Sequence, residues 1–342
     1  MENSRQNAAP GEERWREKAG WERGEPFVRL SLAELNGLLE PAFPGRSVEF
    51  AQTLGAGLSN SNYKIRMRGE DRSYVLRIYR GDADVLRKEE AIARLVRPAV
   101  PVPAFLYTDA SCSRCPRPWA LLEWHDGELL SSLRLTAAQE ELASAAAALG
   151  RTLARVHAFP FSAAGLFGPE LEIRTPMRLD EAVFVGFAEQ SLMHGEAGRL
   201  LGPRRTEALW ALCKRHGGLL EEQPKVYALI HSDFNGRNVL LAPDGSGGYE
   251  VTAVLDWEFA FAGPPLVDIG NMLRYEPPGS EFGRHFIRGY VQEGGALPER
   301  WELKSRLADL IALLDLLNGA ADAPNRAADL VRLIDRLLSE WA

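Results

Sequence analysis

The chain has 342 residues, of which 46% are hydrophobic and 25% charged, as is ordinary for a soluble globular protein of one large or two moderate domains. Its 40 Lys and Arg residues against 47 Asp and Glu residues give a formal net charge of −7. Non-specific nucleic-acid binders are usually basic, so DNA and RNA are disfavoured as partners. The sequence has no long apolar run and no signal-peptide pattern, so we expect neither a membrane span nor export, and a cytoplasmic location.

The cysteines are too few for a disulfide framework. Cys112 and Cys115 form a C-x-x-C sequence in a loop rich in Ser, Pro and Arg, and only the distant Cys213 could join them. Because the sequence has no second C-x-x-C, a structural zinc site is not expected. Two thiols in a cytosolic loop are the preferred interpretation.

The first 25 residues are polar and charged and contain almost no aliphatic side chains. Such a segment cannot bury enough apolar surface to offset the loss of chain entropy, so residues 1–25 are predicted to form a disordered tail. Ordered structure is predicted to begin near Ser31. There S-L-A-E forms a capping box with Glu34, and leucines follow at helical spacing.

A β-rich region follows this helix. Residues 48–54, N-Y-K-I-R-M and S-Y-V-L-R-I-Y alternate as strands do. Between the first two strands, Gly55 and Gly57 allow the backbone to approach a ligand, and their amides can face phosphate oxygens. Many β-turns contain G-x-G, but the position of this one, a strand before S-Y-V-L-R-I-Y, favours a loop that covers nucleotide phosphates.

Arg77 lies on the third strand, in V-L-R-I. Period-two alternation places it on the face shared by Val75 and Tyr79. An exposed surface arginine is the alternative interpretation. The next helix, R-K-E-E-A-I-A-R-L-V, offers an acidic partner: Glu89 is preferred because it borders the apolar stripe, and Glu90 is the alternative.

V-P-V-P, at 100–103, and W-A-L-L-E-W-H, at 119–125, are predicted to be extended. Beyond them the pattern becomes helical, and T-A-A-Q predicts a helix with Thr136 at its N-cap that runs to about Arg155. A further helix is predicted over Glu207–His216. His157, in L-A-R-V-H, is expected to be a buried, hydrogen-bonded side chain and not a ligand.

The most informative stretch is 226–241, in which a short apolar strand, a polar loop H-x-D-x-x-x-x-N and a second apolar run follow one another. The loop contains His231, Asp233 and Asn238, and the next apolar run ends on Asp256. In kinases the first Asp accepts the proton of the attacking hydroxyl, while the Asn and the second Asp hold Mg²⁺ against the triphosphate. Aspartates in turns with Asx hydrogen bonds are the alternative. The complete set, each member at a strand end, favours a phosphotransferase site.

The sequence H-S-D-F-N-G-R-N-V-L followed by V-L-D-W-E resembles the paired signature of the aminoglycoside phosphotransferase and choline kinase family. The resemblance implies an α+β, bilobal, protein-kinase-like fold. The small β-rich N-lobe would cover residues 26–122, and the larger, mostly helical C-lobe residues 123–342. Ser232 stands where the family usually has Gly, a small-for-small change that we expect to be harmless.

The resemblance also implies a role for each candidate residue. Asp233 would orient and deprotonate the acceptor hydroxyl, Asn238 and Asp256 would hold Mg²⁺, and Asp268 would brace the catalytic loop. The residues expected to bind ATP are the phosphate loop (Gly55, Gly57, Ser59 and Asn60), the Arg77–Glu89 pair, and the hinge (Glu123, Trp124 and His125, through main-chain groups). Kinases usually carry Lys where Arg77 stands, so ATP or GTP preference is left open.

The sequence therefore predicts an ATP- and Mg²⁺-dependent phosphotransferase that moves the γ-phosphoryl group to a hydroxyl of a small molecule. The acidic charge suits a cationic acceptor, aminoglycoside-like or another small alcohol, although solubility alone accounts for such a charge. A nucleotide-binding pseudokinase is one alternative, with Arg77 in its favour. A protein kinase is the other, but no A-P-E-like segment separates Asp256 from Asp268. The acceptor and the oligomeric state are left open.

Overall fold

The structure, a computed structural model, describes residues 17–18, 20–55, 57–220 and 227–341. Its N-terminal lobe contains strands β1 (Val48–Leu54), β2 (Ser61–Met67), β3 (Ser73–Ile78), β4 (Phe105–Asp109) and β5 (Trp119–Glu123), with helices α1 (Leu32–Leu39) and α2 (Ala83–Val96). The strands form an antiparallel sheet in the order β1-β2-β3-β5-β4. Helix α1 packs its leucines on one face of the sheet, and Leu86 of α2 packs beside Tyr79 and Leu122.

The C-terminal lobe begins after β5. Its strands are β6 (Glu128–Leu129), β7 (Pro160–Phe161), β8 (Gly165–Phe167), β9 (Ile173–Pro176), β10 (Tyr227–Ile230), β11 (Val239–Pro243), β12 (Tyr249–Val254) and β13 (Phe261–Gly263). Its helices are α3 (Leu130–Thr136), α4 (Gln139–His157), α5 (Glu181–Glu189), α6 (Glu196–Leu201), α7 (Pro203–His216), α8 (Leu266–Leu273), α9 (Glu281–Gln292), α10 (Trp301–Asn318) and α11 (Pro324–Trp341). The α+β fold with a β-rich first lobe and a mostly helical second lobe is confirmed.

Short antiparallel pairings in the C-terminal lobe present the polar loops. Strand β11 pairs with β12 and β6, while β10 pairs with β7 and β13. The amide of Leu255 donates to the carbonyl of Asn238 over 2.8 Å. The hairpin of β11 and β12 therefore returns the chain beside the loop that it left, as the spacing predicts.

The helix boundaries differ from the prediction at two places. Thr136 is the last residue of α3 and not an N-cap, and α4 begins after Ala138, whose amide donates to Glu141 over 2.7 Å. The glutamate at the third helical position supplies the cap here. Helix α7 begins at Pro203, earlier than predicted, because proline is well suited to the first helical position. The capping box of Ser31 and Glu34 is confirmed.

The chain before α1 also differs from the prediction. Residues 1–16 and 19 of the predicted disordered tail lie outside the described residues. Glu17, Lys18 and residues 20–25 instead pack against both lobes, with Glu17 and Trp21 buried. The prediction of disorder rested on the scarcity of aliphatic residues. It did not take into account the large apolar area of Trp21 or the groups with which the charged side chains pair.

In the ranges that the structure describes, no helix combines the length and the apolar character that crossing a membrane would need.

Helices α4 and α9 approach closely through two glycines. A Cβ atom at Gly150 would overlap the carbonyl oxygen of Phe286 and lie 2.7 Å from the amide nitrogen of Tyr290. A Cβ atom at Gly289 would overlap the carbonyl oxygen of Ala147. Because backbone atoms cannot move aside as a flexible side chain can, this contact requires glycine on both helices.

Gly150→Ala is expected to destabilise the fold by about 1–3 kcal/mol or more, since the added methyl forces the two helices apart. Urea unfolding followed by circular dichroism measures the change. Gly37→Ala in α1 is the matched control, because a Cβ there meets nothing within 4 Å. The control should gain up to about 1 kcal/mol from the better helix propensity of alanine. Equal stability of the two variants would contradict the packing described.

Candidate active site

The loop between β10 and β11 is held from beneath by Asp268 of α8. This fully buried carboxylate accepts the amide of His231 over 2.8 Å and the amide of Ser232 over 2.7 Å. His157 Nε2 lies 3.1 Å from the same carboxylate, and its Nδ1 lies 2.9 Å from the hydroxyl of Tyr290. Asp268 braces the loop as the resemblance implies, and His157 is a buried hydrogen-bonding side chain.

His231 joins this loop to the one that follows β12. Its Nδ1 accepts the amide of Asp233 over 3.2 Å, so its Nε2 carries the proton that is donated to the carbonyl of Leu255 over 2.9 Å. Its ring centroid lies 4.5 Å from that of Trp257. The imidazole is fully buried and orients Asp233 through the backbone, so we assign it a structural role.

Asp233 and Asn238 meet on the loop that Asp268 holds. The side-chain amide of Asn238 donates to Asp233 Oδ2 over 2.8 Å and to the Asp233 carbonyl over 2.9 Å. Asn235 donates to Asp233 Oδ1 over 2.6 Å. Since the nitrogen of Asn238 is directed at Asp233, its Oδ1 points away, and Asn238 lines the cleft between the lobes together with Asp256.

Arg77 reaches into the same cleft from β3. Its Nη1 lies 3.0 and 2.8 Å from the two carboxylate oxygens of Glu89, and its Nη2 lies 3.1 Å from Asp256 Oδ1. Glu90 pairs instead with Arg94 on an exposed helix face. The structure therefore pairs Arg77 with Glu89. Arg77 is only 8% exposed, which excludes the interpretation as a surface arginine.

Three carboxylates surround this guanidinium. Burial raises the pKa of Asp256, Arg77 opposes the change, and the charge of Glu89 adds to it. Burial and the charges of Asp256 and Glu89 raise the pKa of Glu258 to about 8. Burial lowers the pKa of Arg77, but the charges of Glu89 and Asp256 outweigh this effect and raise the pKa well above its usual value. The cluster has more acidic groups than nearby cations, so it would favour an added cation.

The phosphate loop is tied to that cluster. Asn60 is buried, its Nδ2 donates to Glu258 over 3.1 Å, and its Oδ1 accepts the amide of Arg80 over 3.0 Å. Gly57 lines the cleft, whereas Gly55 ends the turn after β1 and Ser59 precedes Asn60. The side chain of Asn60 thus braces the loop, and backbone groups remain to face a phosphate.

The cleft between the lobes has a volume of about 460 Å³. Its walls contain apolar side chains suited to a planar ring, contributed by both lobes: Val75, Ala93, Phe105, Leu122, Leu240 and Val254. Glu123, Trp124 and His125 form its hinge edge, where the Glu123 amide already donates to the Ala104 carbonyl over 2.9 Å. Gly127 follows with a φ of 149°, and a Cβ there would lie 2.7 Å from Thr252 Oγ1. Glycine therefore permits the bend that leads into the second lobe.

A second cavity of about 570 Å³ lies beside α8, α9, α10 and α11. It contains none of the candidate catalytic, metal or nucleotide residues. Arg77, Asn238 and Asp256 line the cleft instead, and Asp233 accepts a hydrogen bond from Asn238 beside it.

The structure adds a residue that sequence reasoning missed. Lys18 Nζ lies 2.8 Å from Asp233 Oδ1, with side chains 11% and 20% exposed respectively. Burial raises the pKa of Asp233, but the Lys18 ammonium reverses the change and the pKa lies below its usual value. Asp233 is therefore ionised at neutral pH. No local sequence signal marks Lys18, because its partner lies 215 positions along the chain.

The described residues contain no group of three or more His, Cys, Asp or Glu side chains arranged to hold a metal ion. Mg²⁺ in nucleotide enzymes typically takes one or two protein carboxylates, with substrate phosphates and water completing the set. The oxygens of Asp256 and Asn238 are donors of the hard type that Mg²⁺ prefers, so these residues fit a Mg²⁺–nucleotide complex.

The chain combines a small antiparallel lobe, which contains a buried Arg–Glu pair, with a hinge and a helical lobe. The helical lobe presents an Asp and an Asn on one loop, and a second Asp on the next loop lies beside them. These features define a protein-kinase-like phosphotransferase. A model of the phosphotransferase enzyme family (APH) matches residues 51–303. The chain belongs to this family, which confirms the assignment made from the sequence and the class of small-molecule kinase. No match was found among the curated proteins.

Solved structures share the fold. The ternary complex of a thermostable mutant of aminoglycoside phosphotransferase APH(4)-Ia with AMP-PNP and hygromycin B has a TM-score of 0.65 at 21% identity, covering 90% of this chain and 99% of that one. The GDP complex of wild-type aminoglycoside 2'-phosphotransferase-IIIa has a TM-score of 0.70 at 17% identity, covering 92% and 100%. At such identities the likeness establishes the fold.

Ser232 has a φ of 69°, in the left-handed region that favours glycine. The strain arises because its amide must point at Asp268. We expect Ser232→Gly to raise the free energy of unfolding by about 0.5–1 kcal/mol by relieving this strain. Thermal unfolding measures the gain. Ser232→Ala is the control, since it keeps a Cβ in the same conformation, and it should gain nothing.

Proposed function

We propose that the protein transfers the γ-phosphoryl group of ATP, bound with Mg²⁺, to a hydroxyl of a small molecule. The observation that carries this proposal is the convergence of Asp233, Asn238 and Asp256 from two neighbouring loops beneath the buried Arg77–Glu89 pair. Phosphoryl transfer requires little beyond positioning and charge stabilisation, and this set supplies both.

The nucleotide would enter the cleft with its base between the apolar walls of the two lobes. Main-chain groups of Glu123, Trp124 and His125 would hydrogen-bond the edge of the base. Backbone amides of the loop over Gly55, Gly57, Ser59 and Asn60 would face the phosphates, and Arg77, oriented by Glu89, would bind the α and β phosphates. A guanidinium suits such binding because it can donate two parallel hydrogen bonds.

Asn238 and Asp256 would hold the Mg²⁺, whose chemical contribution is to neutralise charge on the phosphates. Glu258 lies beside them, and its raised pKa is consistent with a site that gains a cation when the nucleotide binds.

Asp233 would orient the acceptor hydroxyl and accept its proton. Hydrogen bonds from Asn235 and Asn238 fix the position of its carboxylate. A base held in this way places the hydroxyl oxygen in line with the phosphoryl group.

A small acceptor is supported by the chain between Asp256 and Asp268, which forms only the short strand β13 and a turn before α8 begins. It provides no platform for a peptide. One similar structure contains hygromycin B and another kanamycin. By analogy we propose a small polyhydroxyl or amino alcohol, aminoglycoside-like among others, as the acceptor class. Similar structures contain AMP-PNP or GDP, so competition between ATP and GTP would establish the nucleotide.

Asp233→Asn is expected to lower turnover about 10²- to 10⁴-fold while Mg²⁺·ATP still binds, because the loss concerns proton transfer and orientation. Turnover is measured as ATP consumption with a panel of small hydroxyl compounds, and binding by calorimetry.

Asp256→Asn is the matched control for that experiment. The substitution is equally conservative, but it should weaken nucleotide binding in Mg²⁺ more than in its absence, because the lost charge belongs to the metal–triphosphate unit. If Asp233→Asn turns over normally, or Asp256→Asn binds Mg²⁺·ATP as the parent does, the corresponding role is wrong.

Arg77→Ala is expected to reduce kcat/KM for ATP about ten- to a hundredfold, as the loss of charge-assisted hydrogen bonds of about 1.5–3 kcal/mol implies. Arg77→Lys should recover part of the loss. Steady-state kinetics at varied ATP concentration provides the measurement.

Glu89→Ala should also reduce kcat/KM for ATP. Its effect should be less than additive with that of Arg77→Ala, since the two side chains form one pair. Glu90→Ala is the matched control, because Glu90 pairs only with exposed Arg94 in the described contacts. Full additivity of Arg77→Ala with Glu89→Ala would contradict the coupling.

A further inference from the structure

The segment before α1 bridges the two lobes. We define Glu17, Lys18 and residues 20–25 as the N-terminal strap. It contacts the catalytic loop at one end and the phosphate loop at the other, so it touches both places where substrates would react.

The first end of the strap is buried against the catalytic loop. Glu17 Oε2 accepts the amide of Gly236 over 2.9 Å, and its Oε1 lies 2.8 Å from Nη1 of Arg134. The side chains of Glu17 and Arg134 are 2% and 0% exposed, and Glu276 lies 3.2 Å from Nη2 of the same arginine. The Glu17 carboxylate is buried and accepts charge-assisted hydrogen bonds, so removing a partner would leave a buried charge uncompensated. This end of the strap is therefore firmly held.

The next side chain of the strap lies on the proposed base. Asp233 Oδ1 accepts from both Lys18 and Asn235, while Oδ2 accepts from Asn238. A carboxylate offers about four acceptor positions, so three are filled. Lys18 and Asn235 fill both positions on Oδ1, so an acceptor hydroxyl that binds this oxygen has to displace the Lys18 ammonium.

The remainder of the strap is anchored in both lobes. Trp21 is buried in the helical core, and its Nε1 donates to Asp329 over 3.1 Å. Glu22 accepts the amides of Asn325 and Arg326, over 2.8 and 3.2 Å, at the start of α11.

The phosphate loop receives the far end of the strap. Arg23 donates to the carbonyls of Ser59 and Asn60 over 2.9 and 3.2 Å, and also to that of Gly57. These contacts join the phosphate loop to the segment that also contacts the catalytic loop.

From these contacts we propose that the strap is autoinhibitory: Lys18 occupies the position of the acceptor on Asp233, and turnover requires the strap to release it. The proposal rests on the function proposed above. The acceptor competes with Lys18 for Asp233, so the apparent affinity for acceptor is the intrinsic affinity multiplied by the fraction of molecules in which the strap is released.

Full-length Lys18→Ala tests the proposal without knowledge of the acceptor, because water can replace the hydroxyl. Mg²⁺·ATP hydrolysis to ADP and phosphate should rise about three- to tenfold, as expected when a partly buried ion pair that blocks the base is removed. Lys18→Arg keeps the charge and should remain close to the parent. Lys214→Ala removes an exposed lysine of α7 and should change nothing.

A second measurement does not depend on turnover. Acetic anhydride labelling followed by mass spectrometry compares the reactivity of Lys18 with that of exposed Lys214. Lys18 should label about tenfold more slowly in the parent, and Trp21→Ala, which removes the anchor, should abolish the difference and raise hydrolysis. Thermal unfolding checks that Trp21→Ala remains folded.

The outcomes separate the two proposals. Where parental hydrolysis is present and Asp233→Ala removes it, the phosphotransferase function stands. Unchanged or lower hydrolysis in Lys18→Ala then overturns autoinhibition alone. A decrease would mean that Lys18 assists Asp233. Lys18 that labels as fast as Lys214 in the parent also overturns it. Hydrolysis absent from every variant overturns the proposed function together with the inhibition that rests on it.

Discussion

The two hydrogen bonds that Asp268 accepts from the amides of His231 and Ser232 fix the loop on which the chemistry depends. Both are charge-assisted, the first is buried and the second partly buried, and such bonds contribute about 1.5–3 kcal/mol each. Without them the backbone would not turn sharply enough to present Asp233 beside Asn238. The left-handed conformation of Ser232 results directly from this requirement. His157 and Tyr290 extend the same network into α4 and α9, so the position of the catalytic loop is tied to the packing of the helical core.

Several charged groups of the cleft lie close together. Arg77 pairs with Glu89 and Asp256, Lys88 donates to the carbonyl of Glu258, and the raised pKa of Glu258 keeps its carboxyl largely protonated at neutral pH. Burial alone cannot make such an arrangement favourable, because desolvation penalises every charge in it. A cation bound with the nucleotide would favour the ionised form of Glu258. Perturbed pKa values concentrated in this way are typical of functional sites.

The sequence predicts those parts of the molecule in which local pattern and spacing carry the information. The loop H-x-D-x-x-x-x-N, the hairpin that returns Asp256 and the face of β3 on which Arg77 lies can all be predicted from neighbours in the chain, whereas the burial of Arg77 cannot. The choice between Glu89 and Glu90 needed the crossing of α2 over the sheet. The contacts of Lys18 and Glu17 could not be predicted, because their partners are more than a hundred positions away and a charged tail has no periodicity. The cap of α4 was missed because Glu141 acts from inside the helix, in place of a hydroxyl before it.

The strap contacts both lobes, and this has a thermodynamic consequence. Arg23 contacts the phosphate loop while Lys18 contacts the catalytic loop, so the two ends of one short segment each touch one of the two binding regions. If nucleotide binding changes the affinity for the acceptor through the strap, acceptor binding must change the affinity for the nucleotide by the same factor, because linkage is reciprocal. Nucleotide and acceptor would then influence each other's binding through the chain that precedes the first helix, without direct contact.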